Sequence, residues 1–572
     1  MDATLYDETI ENQMDPKPFV DKDMLYVLDQ NGGSYNGQIT FDTSSLSNSG
    51  RWQSFSEGYI QIPFVITASN AAIDVSATMN SFVAGLKNGT HQLIDSIQVD
   101  YNNTNVVQLQ PFTNFFVGYK LMSKFSTDDL SKWGPITLFN PDSPDSYIYR
   151  PALAIEGIGH TNNRVQKEPG VSVTARWAMN AGAAPAATAA GFSIGDFNEG
   201  YARRLKYTAQ LAGSAGPPGT LLEMATAASF NNVGKNYYVV NGAGATASYQ
   251  WNILATVPLK FLADFFEKIP LVKGGFMRLI INYNSAAFNI TSTGIAGAAH
   301  TLTTSVPTML SGRTNPIMVS TSGVAVGTGP FDVAASTLTF RCGVVSAGVA
   351  TGATAQSSTI LNSCRLYVPC YSLDPKHEEE LISIRPVREV AYHDIYNFNI
   401  TGIAAGSSFN NILTNGIVNP KYVVIIPSVN VASNALANLL TYQSPFDSAP
   451  GTTAPLGSIY NFNVQVGGRN IFQQNFNYDF ENFNNEISRI NAINGGETLG
   501  ITSGLITADM WSNAYRYHVA DISRREKSED IVPKSITVIG TNNTAITMDY
   551  ICFVVFERKI KINMLDGSLV RD

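Results

Sequence analysis

The sequence predicts an all-β fold with short helices, built as two β units in tandem. Three observations predict it. Apolar and polar residues alternate in segment after segment, as in "FNVQVGGRNIFQQNFNYDF", where Phe462, Val464 and Val466 point one way and Asn463 and Gln465 the other. Charged residues make up only 14% of the chain against a hydrophobic share of 44%, so Asn, Gln, Ser and Thr must carry the polar surface; soluble domains usually hold about 25% charged residues. The third observation is a repeat. Ile97–Met122 and Phe462–Ile487 align without gaps at an offset of 365 residues.

In that frame Val99 meets Val464, Asn102-Asn103 meets Gly467-Gly468, Asn105 meets Asn470, Val106-Val107 meets Ile471-Phe472, Gln108 meets Gln473 and Phe115 meets Phe480. Asn and Gly are the residues that tolerate the positive φ of a two-residue hairpin turn. Each copy then runs into an aromatic-rich helix: Phe476, Phe480, Phe483, Ile487 and Ile490 fall at helical spacing. Strand, turn, strand, helix occurs twice, and duplication is the reading that accounts for it.

With 572 residues the chain exceeds one ordinary core and fits two to four domains. The first unit opens after an extended arm over residues 1–21 with strand segments "MLYVLD", "NGQITFD" and "GYIQIPFVITA". "SFVAGLKNG" reads as a short helix stopped by Gly, and the first copy of the repeat follows. "VPLKFLADFFEKIPLVKGGFMRLIINYN" reads as strand, short helix and strand, punctuated by Pro270 and Gly274-Gly275. Residues 178–250 and 285–335, rich in Ala, Gly, Ser and Thr, read as long loop insertions at one end of the unit, directed outward. "CRLYVPCYSL" closes the first unit, which spans 22–373.

A linker helix is expected over 374–384, with Asp374 as N-cap and Pro375 at the first helical position. The second unit, 385–572, continues with "RPVREVAYHDIYNFNI", "KYVVIIPSV", the second repeat copy, a helical "ITADMWSNAY", "KSITVIG" and "YICFVVFERKIKI". In the last run Phe556, Ile560 and Ile562 share one face and Glu557, Lys559 and Lys561 the other.

Composition excludes several functions. A net charge of −8 argues against a nucleic-acid-binding domain, which carries a basic patch. Cys342, Cys364, Cys370 and Cys552 form no CxxC pair and read as buried free thiols. The N-terminus "MDATLYDETIENQMD" is acidic and unlike a signal peptide, and no apolar run approaches the ~20 residues of a membrane helix. Synthesis in a reducing intracellular space follows, with the Asn-X-Thr sites at Asn88, Asn102 and Asn289 unused.

No motif names a reaction. "VVNGAGATA" offers Gly242, Gly244 and Ala247 in G-x-G-x-x-A order with Asp264 downstream, but a strand-like "SYQWNILATV" follows where a dinucleotide site needs a helix. His91, His160, His300, His377, His393 and His518 are scattered without metal-ligand spacing. "GVVSAG" misses the nucleophile elbow by one residue. Asp95, Asp100, Glu389 and Asp394 lie in strand-like runs and read as solvated strand faces rather than paired glycosidase carboxylates. "PDSPDS" at Pro141–Ser146 reads as a turn and "SRREKSED" as a solvated loop. No catalytic, cofactor-binding or metal-ligating residue is assigned, and no cofactor.

The run "LKNGTHQLIDSIQVDYNNTNVVQ" with its helix, the "FLADFFEKIPLVKGGFMRLIINYN" segment and the tandem β units resemble the major capsid proteins of virophages and polinton-like viruses. The resemblance spans nearly the whole chain; the Ala/Gly/Ser-rich insertions do not map onto it. It implies a double jelly roll of two eight-stranded antiparallel barrels. It further implies a homotrimeric, pseudo-hexameric capsomer and an icosahedral capsid that encloses double-stranded DNA without reading its sequence. Partners would be the chain itself, penton proteins and minor capsid proteins, in a virion assembled inside a host cell. The rival classes are a carbohydrate-binding or adhesion β-sandwich and a jelly-roll glycosidase. Glycan binding or hydrolysis would favour these, and assembly into trimers or shells the capsid protein.

Overall fold

In the computed structural model, sixteen of the strands among the described residues form two equivalent sets of eight. The structure describes residues 19–69, 82–142, 248–293, 307–321, 336–346, 361–430, 458–493, 503–523, 532–544 and 547–570, with short pieces at 148–149, 164–165, 200, 203–204, 238–240, 301–304, 441–443 and 445.

The first set is β1 (Phe19–Leu28), β2 (Gln38–Asp42), β3 (Tyr59–Ser69), β4 (Ile94–Tyr101), β5 (Thr104–Val107), β6 (Ser248–Pro258), β7 (Met277–Tyr283) and β8 (Arg365–Leu373). Antiparallel pairing runs β1-β8-β3-β6 in one sheet and β2-β7-β4-β5 in the other. The second set is β9 (Val387–Ile403), β10 (Ser408–Ile417), β11 (Pro420–Val429), β12 (Ile459–Val466), β13 (Arg469–Asn470), β14 (His518–Asp521), β15 (Lys534–Asn542) and β16 (Met548–Asn563). Its sheets run β9-β16-β11-β14 and β10-β15-β12-β13. Adding eight to each label of the first set gives the second, and each set has the strand order of a jelly roll. The chain is a double jelly roll.

Each barrel fills its interior from the inward faces of its longer strands. Ile60, Ile62, Phe64, Leu366 and Val368 are wholly buried in the first, and Cys552, Val554, Val464 and Val538 in the second. The repeat occupies equivalent places. In each barrel the fourth and fifth strands form the hairpin, and a helix follows: α1 (Thr113–Lys124) in the first and α3 (Phe480–Ile493) in the second. Both turns are left-handed at both residues, with φ of 45° and 61° at Asn102 and Asn103 and 60° and 80° at Gly467 and Gly468. Between the barrels, α2 (Pro375–Ile384) starts after Asp374 with Pro375 in its first turn.

Three segments differ from the sequence reading, the shortest being Tyr238–Val240 within 178–250, a strand paired antiparallel with β6. The helix expected in "SFVAGLKNG" is a strand, Phe82–Leu86, paired antiparallel with Ile317–Thr321. Ala84 and Leu86 are buried, so a distant partner strand overrides a weak local helical pattern. The 285–335 segment is not loop throughout. Ser285–Thr293, Thr301–Thr304 and Thr308–Ser311 are strands, and the first pairs with Ser336–Val344, which in turn pairs with the second half of β3. Its small-residue composition conceals a period of two, since Ala286, Phe288 and Ile290 are all buried. Strands therefore extend the barrel's sheet at one end. The arm up to residue 18, most of 178–237 and the stretch 322–335 lie outside the described residues, so the outward placement of the insertions does too.

Candidate functional site

The described thiols behave as small apolar groups: all four cysteines are buried and free. Burial pushes the Cys342 thiol up to about 12. His91 and His518 are buried with their pKa lowered to about 3 by desolvation; His160 and His300 lie outside the described residues. The "GAGATA" turn also lies outside them, and the segment after it is strand β6 rather than a helix. "GVVSAG" begins in a strand, Ser336–Val344, and its last two residues lie outside the described ones. "SRREKSED" falls outside the description beyond Ser523. Among the described residues no three His, Cys, Asp or Glu side chains converge to hold a metal ion, and no helix is long and apolar enough to cross a membrane.

The carboxylates correct the sequence reading. Asp95 and Asp394 are 2% and 3% exposed, not solvated. Asp95 accepts from Arg313 at 2.5 Å and Asp394 from Arg558 at 2.9 Å. Asp142 of "PDSPDS" is buried too, and Arg204 donates to it at 2.9 Å. Asp100 is half-buried, and only Glu389, paired with Lys559 at 3.1 Å, lies on an open face. Burial of a charge is tolerated where an opposite charge and hydrogen bonds compensate it, and period-two alternation does not reveal a distant arginine.

The feature that brings most of these groups together is the seam between the barrels. Helix α1 carries an aromatic run because it must satisfy two cores. Phe115, Tyr119 and Met122 are buried, and the Phe116 ring lies 5.5 Å from that of Phe553 on β16. A cleft of about 510 Å³, counting space open to solvent, lies where α1, the 262–264 turn, β9 and β16 meet; Lys120, Asp264, His393 and Asp394 line it.

The first barrel's edge strand β5 is held there by side chains. Arg558 donates to the carbonyls of Asn105 at 2.9 Å and Val106 at 3.0 Å, and Tyr392 donates to Val106 at 2.6 Å. The Gln108 amide donates to Asp394 at 3.4 Å. The Asn397 amide donates to the Gln110 side chain at 3.0 Å. Carbonyls that would otherwise template another strand are thus satisfied from the second barrel. Across the cleft the His393 amide donates to Asp264 at 2.9 Å, with Lys120 3.6 Å from Glu267 and 4.0 Å from Asp264.

Electrostatics follow from this burial. Desolvation opposes the charge of Asp264, but Lys120 and the His393 amide outweigh it and its pKa falls below the ordinary value. Desolvation wins at Asp394, raising its pKa despite Arg558, and lowers that of His393. Lys124, one turn beyond Lys120, is lowered to about 8 by burial and by Lys120. Asp264 and Asp394, through the His393 and Gln108 amides, bind one barrel to the other, and the cleft has the chemistry of a joint.

No protein-family model matches the chain, and no curated protein is similar to it. Among solved structures it is similar to the mavirus major capsid protein, at 10% identity and a TM-score of 0.45 over 96% of this chain and 90% of that one. It is similar to a chain of the Sputnik virophage, at 10% identity and a TM-score of 0.42 over 97% and 89%. It is likewise similar to the Faustovirus major capsid protein, at 10% identity and a TM-score of 0.41 over 96% and 91%.

Proposed function

We propose that this chain is the major capsid protein of an icosahedral, double-stranded DNA virus of the virophage or polinton-like type. It acts as a homotrimeric, pseudo-hexagonal capsomer and catalyses no reaction. The observation that carries this reading is the duplication: two barrels of one strand order, fixed side by side in one chain by Arg558, Tyr392 and Asp394. Three such chains supply six barrels to a hexagonal lattice site, and a closed ring leaves no open-ended growth within the capsomer. Large interfaces between copies, often beyond ~2,000 Å² in permanent assemblies, suit a surface with few charges and many amides.

With this reading go an arm at 1–21, a first barrel with its insertions at 22–373, a linker at 374–384 and a second barrel at 385–572. Penton and minor capsid proteins are the further partners, the virion is the location, and the enclosed DNA is not read by sequence. Light scattering on purified protein tests the reading. It should give about three times the 61.8 kDa chain mass, or whole shells visible by negative stain. A folded monomer at micromolar concentration overturns it.

A further inference from the structure

The cleft between the barrels holds polar atoms that the joint itself leaves unused. Lys120 stands one turn beyond Phe116 on α1, so both reach the same cleft. Its ammonium lies 3.5 Å from the Lys260 carbonyl, 3.6 Å from Glu267 and 4.0 Å from Asp264, beyond the roughly 3 Å of a well-made N–H···O bond. Asp264 accepts from the His393 amide through Oδ2, while its Oδ1 meets Lys120 only at 4.0 Å. The His393 ring makes no hydrogen bond among the described residues, its Nδ1 standing 3.7 Å from Asp264. The side chains of Lys120, Asp264 and His393 are 15%, 13% and 16% exposed, so a molecule entering from solvent can reach all three.

The rest of the lining is mostly apolar. Val107, Phe116 and Leu262 come from the first barrel, and Ile395, Tyr422 and Val555 from the second. An enclosed apolar cavity of about 150 Å³ takes one benzene. This cleft, at about 510 Å³ with its open share, admits a ring and a polar head. A concave apolar surface with a few convergent polar groups is the usual form of a small-molecule site.

Charge decides the class of guest. Arg558 answers Asp394 at 2.9 Å, Lys120 answers Asp264, and His393, its pKa lowered by burial, is neutral near pH 7. A charged guest would carry an unpaired ion into a site already balanced, against the cost of desolvating it. A hydroxyl can accept from Lys120 and donate to Asp264 at once.

We propose that the cleft is a binding site for a small neutral amphiphile, an apolar body about the size of one ring that carries a hydroxyl. The body lies against Phe116, Leu262, Ile395 and Tyr422, and the hydroxyl between Lys120 and Asp264. Both barrels line the cleft, so a bound guest also ties one to the other. The proposal goes beyond the capsid reading and does not depend on how many chains associate.

Near-isosteric probes test it: benzyl alcohol, toluene, benzylamine and benzoate, each titrated against the full chain at pH 7.5 by saturation-transfer NMR. Benzyl alcohol should bind saturably with a Kd at or below about 1 mM, about tenfold tighter than the other three. Ala263→Leu fills the cleft from the 262–264 turn and should abolish saturable binding with circular dichroism unchanged. Lys120→Met keeps the stem and removes the donor, so it should bring benzyl alcohol down to the level of toluene, and it serves alone if Ala263→Leu does not fold. No saturable binding of benzyl alcohol to the wild-type chain overturns the proposal, as does undiminished binding to folded Ala263→Leu. Toluene, benzoate or benzylamine binding as tightly as the alcohol overturns the neutral hydroxyl class. None of these outcomes touches the scattering mass, so failure here leaves the capsomer reading standing.

Discussion

The phenol of Tyr101 donates a hydrogen bond to the carbonyl oxygen of Gly567 at 2.8 Å, across 466 residues of chain. Asn102 donates to the same oxygen at 2.8 Å. The tail of the second barrel is thereby pinned onto the hairpin turn of the first. Gly275 makes the fit possible: a Cβ there would fall 2.0 Å from the Tyr101 oxygen.

Two substitutions at this lock should differ in size. Tyr101→Phe leaves the Gly567 carbonyl with Asn102 and should cost about 1 kcal/mol. Gly275→Ala forces a wholly buried ring to move and should cost about 2–3 kcal/mol. Urea midpoints compare them, and equal costs would count against the lock.

The turn residues of the first hairpin should also separate. Asn103 is exposed with φ of 61°, so Asn103→Gly relieves left-handed strain and should be neutral or stabilising by up to about 1 kcal/mol. Asn102 also accepts from the Phe276 amide at 2.9 Å, so Asn102→Gly should cost about 1–3 kcal/mol. Equal effects of the two in thermal melts would contradict this.

Asp394 and Arg558 form the ionic part of the seam. Asp394→Ala should cost about 3 kcal/mol, the low end for a broken buried pair, because the Arg558 side chain keeps 26% exposure and some water. Adding Arg558→Met to Asp394→Leu should cost less than the two single changes summed, since neither leaves a charge behind. Strict additivity in a double-mutant cycle would show that the pair is uncoupled.

Acid should weaken the fold through its buried imidazoles. His91 and His518 have folded-state pKa values of about 3 against 6.5 unfolded, so from pH 6.5 downward the unfolded chain gains protons that the native state refuses. Stability is then complete above pH 6.5 and lost toward pH 3, by up to about 1.4 kcal/mol per pH unit per group. Both ring nitrogens of His518 lack a protein partner. His518→Phe should therefore stabilise at pH 7.5 by about 1–2 kcal/mol and flatten the slope between pH 6.5 and 5. Urea melts at those pH values check this, and an unchanged slope would rule it out.

The sequence by itself determined the strands, the duplication and the buried thiols. Alternation such as Phe462-Val464-Val466 records which side chains leave water, and two left-handed residues in a hairpin admit little besides Asn and Gly. These are local demands, written within a few residues. The ion pairs of Asp95, Asp142 and Asp394, the strand at Phe82–Leu86 and the strands hidden in 285–335 were decided only by tertiary structure. Each depends on a partner dozens to hundreds of residues away, which no local period encodes. The seam left one trace in the sequence: "YICFVVF" is apolar at successive positions where a half-buried strand would alternate. What covers its outer face, Phe116 of the other barrel, became known only when the two barrels were set side by side.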